Sequence, residues 1–308
     1  MRHSLRLPIA LALGTAIISG SSNFLAKIAV TVVKDPVVFT FLKNAVVAVL
    51  LLGLLILVTR LKELRTLTRR DWFRLLAIGV IGGGVPFVLF FTGLAASTAL
   101  TASFIHKTLF LWVAILAVPF LHERIGWVQS AALLLLFLGN YALGFPHFAF
   151  TGAELMILGA TILWAVENVI AKVALRNVSS LLVGASRMVI GSAVIFSVVA
   201  WQGKTRLLIG LNASQWGWTL LTSALLTGYV LTWYAALKRA PVTLVASLLV
   251  PATLVTNVLS AIFITHAPPS RPELISGGLL ALAVFLIVRS AGGFLPKPAT
   301  PHAAEIQT

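Results

Sequence analysis

The stretch Gly14-Thr-Ala-Ile-Ile-Ser-Gly-Ser-Ser-Asn23-Phe-Leu-Ala-Lys27 decides the fold, because its pattern returns later as Gly159-Ala-Thr-Ile-Leu-Trp-Ala-Val-Glu-Asn168-Val-Ile-Ala-Lys172. The two stretches are 145 residues apart, and each carries an asparagine four residues before a lysine. Further matches occur at a spacing of 144 residues: Lys43 with Arg187, Trp72 with Trp216, and Leu100-Thr-Ala-Ser103 with Leu244-Val-Ala-Ser247. Such a repeat predicts two related halves.

The composition is that of a chain that lies in a membrane. Of the 308 residues, 59% are hydrophobic and only 10% are charged, and the mean hydropathy is +1.02. A soluble domain is typically about one quarter charged. The apolar runs have roughly the 20 residues that a helix needs to cross the hydrocarbon layer. We therefore expect an all-α membrane protein. Because the chain has no cysteine, disulfides, thiolate metal sites and cysteine nucleophiles are excluded.

Apolar runs that are bounded by charged residues, glycine or proline predict ten transmembrane helices. They are 7–30, 36–58, 74–95, 97–120 and 126–145 in a first repeat of residues 7–145, and 152–175, 180–201, 215–236, 240–264 and 273–289 in a second repeat of residues 152–289. Since each repeat has an odd number of helices, the second enters the membrane from the other side, and the repeats are inverted. We expect residues 290–308 to form a disordered cytoplasmic tail.

The distribution of positive charge predicts the orientation. With both termini in the cytoplasm, 14 lysine and arginine residues lie at the cytoplasmic side and four at the opposite side, as the positive-inside rule requires. Orientation thus explains the net charge of +15, and we expect no nucleic-acid partner, because the basic residues are not gathered on one face. We expect a multi-pass protein of the inner (cytoplasmic) membrane, surrounded by the lipid bilayer. Whether it forms a homodimer stays open.

The ordered set of motifs resembles the EamA-type permeases of the drug/metabolite transporter superfamily. The resemblance rests on the two Asn–Lys helices quoted above and on Leu121-His-Glu123-Arg124, which is similar to that family's Gly-Glu-Arg corner and is followed by Gln129 and a helix containing Gly139. It covers nearly the whole chain. It implies ten helices with two EamA repeats, and a secondary transporter that exports amino acids or related metabolites.

Two positions depart from the family pattern. The second corner reads His266-Ala-Pro-Pro-Ser-Arg271 and lacks the usual acidic residue. In the fourth span, Lys107 stands where the family commonly has proline and where the repeat partner is Pro251. We therefore do not take the substrate over from better-known relatives.

Charged and polar residues at membrane depth are candidates for the substrate site, because each costs several kcal/mol unless it is paired or hydrated. The candidate substrate-binding residues are Lys107, His106, Glu167, Asn23, Lys43, Arg187, Trp164 and Tyr229. Lys107 is interpreted as an anchor for a carboxylate or phosphate, as the partner of Glu167 in a structural ion pair, or as a water-exposed charge in an empty cavity. Glu167 either carries a proton or holds the halves together through that pair. The excess of embedded cations favours an anionic or carboxylate-bearing substrate.

The two Asn–Lys pairs also have two interpretations. Asn23 with Lys27, and Asn168 with Lys172, each share a helix face. These residues either line a pathway or gate, or lock neighbouring helices together by hydrogen bonds. A further alternative is that the two lysines snorkel from the helix ends.

Aromatic residues and glycines are less specific. Trp164, Tyr229 and Trp233 either line a cavity or pack within the bundle. The glycines within residues 79–84, followed by Pro86, predict close helix packing with a kink rather than a phosphate loop. Glu123, in the first corner, is interpreted as structural.

The sequence has no enzyme signature. His-Glu-x-x-His, Walker and Gly-x-Ser-x-Gly motifs are absent, and the six histidines lack metal-ligand spacing. We therefore expect no catalytic residue, metal or cofactor. We expect a secondary transporter that moves a small polar metabolite, such as an amino acid or other carboxylate, by alternating access. A membrane-embedded enzyme acting on lipid substrates and a lipid-carrier flippase remain as alternatives.

Overall fold

The computed structural model describes residues 2–58, 60–144 and 151–294. The first repeat contains α1 (Arg2–Val33), α2 (Pro36–Leu57), α3 (Arg69–Ala77), a π-helical segment (Ile78–Gly84), α4 (Val85–Ala95), α5 (Ala99–Lys107), α6 (Leu109–Leu121) and α7 (Trp127–Ala142). The second contains α8 (Gly152–Ala174), α9 (Ser180–Trp201), α10 (Ala213–Arg239), α11 (Val242–Ser247), α12 (Ala252–Ser260), a π-helical segment (Ala261–Thr265) and α13 (Arg271–Arg289). Short 3-10 helices lie at Arg60–Thr66, Lys204–Leu208 and Ala291–Phe294.

These helices confirm the predicted all-α fold of ten transmembrane helices in two inverted repeats. Within the described residues, nine helical segments are long and apolar enough to cross a membrane. The remaining apolar helix is α7, which is the fifth span in chain order and whose 16 residues are about 24 Å long at 1.5 Å per residue. With the ten spans numbered in chain order, the third joins α3 to α4 through the first π-helical segment, the fourth joins α5 to α6, and the ninth runs from Val242 to Thr265. We call the side at which α1 begins and α13 ends the terminal face, and the other side the opposite face.

The C-terminal end requires a correction. We predicted a tail that begins at residue 290, but Ala291–Phe294 form a 3-10 helix in which both end residues are buried. The Nε2 atom of Gln129 in α7 donates a hydrogen bond to the Ser290 carbonyl at 2.7 Å. This segment therefore packs against the first repeat. The remainder of the predicted tail, residues 295–308, lies outside the described residues.

The two repeats interleave. Helix α1 packs along α10, α2 along α9, α4 along α8, and α7 along α13. Because each of these pairs takes one helix from each repeat, the interior of the bundle is lined by both.

Two spans are interrupted at related places. The fourth breaks at Thr108, directly after Lys107, and the ninth breaks between Ser247 and Ala252. Lys107 and Pro251 are 144 residues apart. The fourth and ninth spans also end alike, at His122 (φ 56°) and His266 (φ 49°), which adopt the left-handed conformation and are again 144 residues apart. The repeat spacing therefore holds in the backbone as well as in the sequence.

Carboxylates mark the helix starts. Seven of the eight acidic residues lie in the described part of the chain, and six of these accept hydrogen bonds at the N-terminus of a helix. These six are Asp35, Glu63, Asp71, Glu123, Glu154 and Glu273. Such positions satisfy unpaired N–H groups and face the positive end of the helix dipole. The remaining one, Glu167, lies within α8, far from either end.

Candidate functional site

A central cavity of about 200 Å³ lies between the two repeats. It is lined by seven of the eight predicted site residues: Asn23, Lys43, His106, Trp164, Glu167, Arg187 and Tyr229. The other lining residues are Ser19, Ser22, Phe87, Leu109, Asn168, Leu226, Trp233 and Leu249. The structure thus brings together residues that are up to about 200 positions apart in the sequence, as far as Asn23 and Tyr229.

Lys107 is the exception among the predicted residues. It lines an adjoining cavity of about 140 Å³, which shares Asn23 and His106 with the central one. The predicted alternative, an ion pair between Lys107 and Glu167, is not formed. In the described part of the chain, ion pairs join Arg74 to Asp71 and Lys204 to Asp35.

Glu167 is held by a tyrosine. Its carboxylate is 2% exposed, and its Oε1 atom accepts a hydrogen bond from the Tyr234 hydroxyl at 2.6 Å. Arg187 is the cation with which it interacts electrostatically. The carboxylate of Glu167 and the guanidinium of Arg187 therefore offset each other in part across the space between α8 and α9.

A backbone carbonyl holds Arg187 in place. The Gly82 carbonyl accepts hydrogen bonds from Arg187 Nη2 at 3.2 Å and from Trp164 Nε1 at 3.0 Å. Gly82 lies in the first π-helical segment, and a Cβ atom there would collide with the Glu167 side chain. Only glycine lets the backbone approach α8 and α9 this closely. This confirms the close packing predicted for the glycines of the third span.

The positive charge of Lys43 is not offset by a described carboxylate. Its ammonium lies 5.5 Å from the centre of the Phe39 ring, and no carboxylate pairs with it among the described residues. Lys43 on α2 and Arg187 on α9 are repeat partners, and these two helices pack against each other. The cavity therefore carries two cations and one acid, with the excess positive charge at Lys43.

Aromatic rings form the rest of the wall. The ring centres of His106 and Trp164 are 4.8 Å apart, and Trp164 also contacts Phe87 at 5.3 Å. Tyr229 and Trp233 are stacked at 5.9 Å. The predicted aromatic residues thus line the cavity as well as pack against one another.

The two Asn–Lys pairs serve different purposes. Both asparagines line the cavity. Lys172 donates hydrogen bonds from Nζ to the carbonyls of Leu237 at 2.6 Å and Ala240 at 2.7 Å, so it locks the end of α10. Lys27, its repeat partner, is exposed.

Sequence reasoning missed the two residues that hold Glu167 and Arg187 in place, Tyr234 and Gly82. Tyr234 follows the predicted Tyr229 on the same helix, but a sequence does not show which of two hydroxyls meets a carboxylate on another helix. For Gly82 a signal existed, because a cluster of glycines within an apolar span indicates a close backbone approach.

The family now follows from the whole chain. The family model described as EamA-like transporter family matches residues 6–145 and again residues 151–289. The chain belongs to the EamA-like transporter family. With its helical spans, this makes it a multi-pass membrane protein and a membrane transporter.

Individual relatives agree. An uncharacterized transporter of Synechocystis sp. is 26% identical over 76% of this chain and 72% of its own length. An uncharacterized transporter of Archaeoglobus fulgidus is 23% identical over 83% of this chain and 89% of its own. One crystal structure is similar in fold, with a TM-score of 0.75 at 15% identity, covering 92% of this chain and 97% of the other.

Proposed function

We propose that this EamA-like protein is a secondary transporter that exports a small polar metabolite bearing a carboxylate, such as an amino acid, by alternating access of its two repeats. The observation that carries the proposal is the central cavity, into which the repeats place the related cations Lys43 and Arg187. A site on the boundary of two inverted repeats is the arrangement that such transporters use.

The charges favour a carboxylate. Arg187 donates to the Gly82 carbonyl and interacts with Glu167, whereas the Lys43 ammonium has no anionic partner in the described chain. A charge in a largely apolar wall is costly, and an anion that pairs with it recovers part of that cost. An ammonium group presents three donors to a carboxylate. We therefore assign the substrate carboxylate to Lys43.

The size of the cavity favours a small substrate. Sites for drug-sized molecules have volumes of about 300–1,000 Å³, and this one has about 200 Å³. Glu167 and the rings of Trp164 and Tyr229 offer an ammonium group both a carboxylate and π faces. An amino acid combines the two charges that this wall can bind.

The orientation follows from charge. Outside the spans, the described part of the chain has 13 lysine and arginine residues at the terminal face and four at the opposite face. By the positive-inside rule the terminal face lies in the cytoplasm. We propose the inner, cytoplasmic membrane as the location.

Ligand-dependent thermal stability tests the assignment. Wild type, Lys43→Met and Lys107→Met are each heated with a panel of anionic, zwitterionic, cationic and neutral metabolites. A ligand present at 100 times its Kd stabilises the folded state by about 2.7 kcal/mol. We expect an anionic or zwitterionic class to stabilise wild type and Lys107→Met but not Lys43→Met, and the same ligand to exchange across proteoliposomes.

Two results would contradict the proposal. If Lys43→Met responds like wild type, Lys43 does not anchor the ligand, and loss of the response in Lys107→Met alone would move the anchor to the adjoining cavity. If only cationic or neutral ligands stabilise wild type, the proposal that the substrate bears a carboxylate is wrong.

A further inference from the structure

Two side chains grip the turn that joins the eighth and ninth spans. Glu123, at the corner after α6, accepts hydrogen bonds from the backbone N–H groups of Val242 at 2.5 Å and Thr243 at 3.0 Å. Lys172, at the end of α8, holds the carbonyls of Leu237 and Ala240 just before them. Glu123 is 5% exposed, and we call this arrangement at the terminal face the closed clasp.

The inverted repeat places the residues equivalent to Glu123, Lys172 and the turn at the opposite face. Lys27 is the partner of Lys172, and Ala267, which follows His266, is the partner of Glu123. The partner of the gripped turn is the turn between α4 and α5, where residues 93–99 correspond to 237–243. At this face, among the described residues, no hydrogen bond joins Lys27 or Ala267 to that turn.

The parts at the opposite face are open to the surroundings. Lys27, Ala96 and Ala267 are all exposed. The start of α5 is capped by its own Thr98, whose Oγ1 accepts the Thr101 N–H at 3.1 Å. Within the described residues, Lys27 has neither a hydrogen bond nor an ion pair. Lys27 thus makes no described hydrogen bond at the opposite face. Lys172, the equivalent residue of the other repeat, donates two hydrogen bonds at the terminal face.

Other links at the opposite face lie elsewhere. Lys204 pairs with Asp35 at 2.8 Å, and Gln215 donates from Nε2 to the Val32 carbonyl at 3.2 Å. They join the first two spans of one repeat to the region around the seventh and eighth spans of the other. Neither link involves the turn between α4 and α5, which packs instead against α8, where the Gly93 backbone closely approaches the Ala153 carbonyl.

We propose that the closed clasp is one of a pair, and that Lys27 closes the second one by binding carbonyls of the turn at residues 93–96 when the opposite face shuts. This inference rests on the alternating access of the proposed function. Exchanging the conformations of two inverted repeats turns a state open to one face into the state open to the other. In the first clasp both Glu123 and Lys172 bind the turn, whereas in the second only Lys27 would bind it, because Ala267 stands at the position equivalent to Glu123. The first clasp is therefore the more stable of the two, and the state open to the opposite face is favoured.

Disulfide trapping tests the second clasp without a substrate, and the natural absence of cysteine gives a clean background. The pair Thr98→Cys with Ala267→Cys occupies the positions equivalent to Val242 and Glu123. A disulfide needs Cα atoms about 4.4–6.8 Å apart, so its yield reports the closing of the opposite face. We expect a low yield in the otherwise native chain.

Further substitutions are then added to that cysteine pair. Lys172→Met, which weakens the closed clasp but keeps an apolar stem, should raise the yield about tenfold, as loss of a charge-assisted bond predicts. Adding Lys27→Met should return it to the low value. Lys34→Met is the matched control, since Lys34 is an exposed lysine at the same face, and it should change nothing. Each variant is first shown to be monodisperse with an unchanged helical spectrum.

Two outcomes would overturn the proposal. If Lys27→Met leaves the yield of the Lys172→Met background unchanged, Lys27 does not grip the turn. If no background gives a disulfide, the second clasp does not form. Failure of every metabolite to bind, with trapping as expected, would instead contradict the substrate assignment and leave the clasp standing.

Discussion

Replacing Tyr234 by phenylalanine removes one hydrogen bond from the buried Glu167 and nothing else. The ring is fully buried and packs against Gly184, so phenylalanine keeps its contacts. The lost donor lies 2.6 Å from the carboxylate. Hydrogen bonds between transmembrane helices average about 0.6 kcal/mol, whereas a bond to a charged group contributes about 1.5–3 kcal/mol. Because the bond is short and the Glu167 side chain is buried, we expect Tyr234→Phe to lower the free energy of unfolding by about 2 kcal/mol.

The measurement is reversible unfolding by sodium dodecyl sulfate in mixed micelles, monitored through the loss of helical structure. Tyr229→Phe is the matched control. Tyr229 lies on the same helix, and its hydroxyl makes no hydrogen bond within the described chain. It should change the unfolding free energy by less than about 0.5 kcal/mol. Equal losses in the two variants would refute the role of the hydroxyl. A loss near 0.6 kcal/mol for Tyr234→Phe would show that this bond is no stronger than the average hydrogen bond between transmembrane helices.

The other predictions concern glycine packing and a helix cap. Gly83→Ala should destabilise the protein by about 1–3 kcal/mol, because its Cβ would collide with the Arg187 carbonyl, whereas Gly53→Ala, with open space around it, should stabilise α2 by about 0.5–1 kcal/mol. Equal effects of these two alanines in the same unfolding titration would contradict the close packing. Burial alone would raise the pKa of Asp35, but the hydrogen bond with Lys204 and the N–H groups at the start of α2 bring that pKa below its ordinary value of 3.8. The stability that Asp35 contributes is therefore complete above about pH 3.8 and is lost as the pH falls through the lowered pKa. The difference in melting temperature between wild type and Asp35→Asn should shrink over that range, and a difference independent of pH would contradict the ion pair.

The helices were predictable because a span leaves a local signature. Length and hydropathy gave the second span as 36–58, and the structure has Pro36–Leu57. The depth of a charge within a span is also local information, so Lys43, Glu167 and Arg187 could be assigned to an interior that proves to be a cavity.

The missed features depend on contacts between distant residues. The bond of Glu123 to Val242 joins positions 119 residues apart, and no pattern around the corner names that partner. The placement of Lys107 depends on the break at Thr108, which puts the lysine at the end of α5 and beside the smaller cavity. A proline marks the related break in the ninth span, but the break in the fourth has no such signal.

Carboxylates of the first repeat cap helices of the second, and this bears on how the protein is made. Glu63 accepts the Ser179 N–H at 2.6 Å, at the start of α9, and Glu123 does the same for α11. During synthesis both carboxylates leave the ribosome before the backbone groups that they bind. The carboxylates of the first repeat are thus already synthesised when α9 and α11 are made. A chain divided between the repeats would deliver α9 and α11 with unpaired N–H groups until the two fragments met.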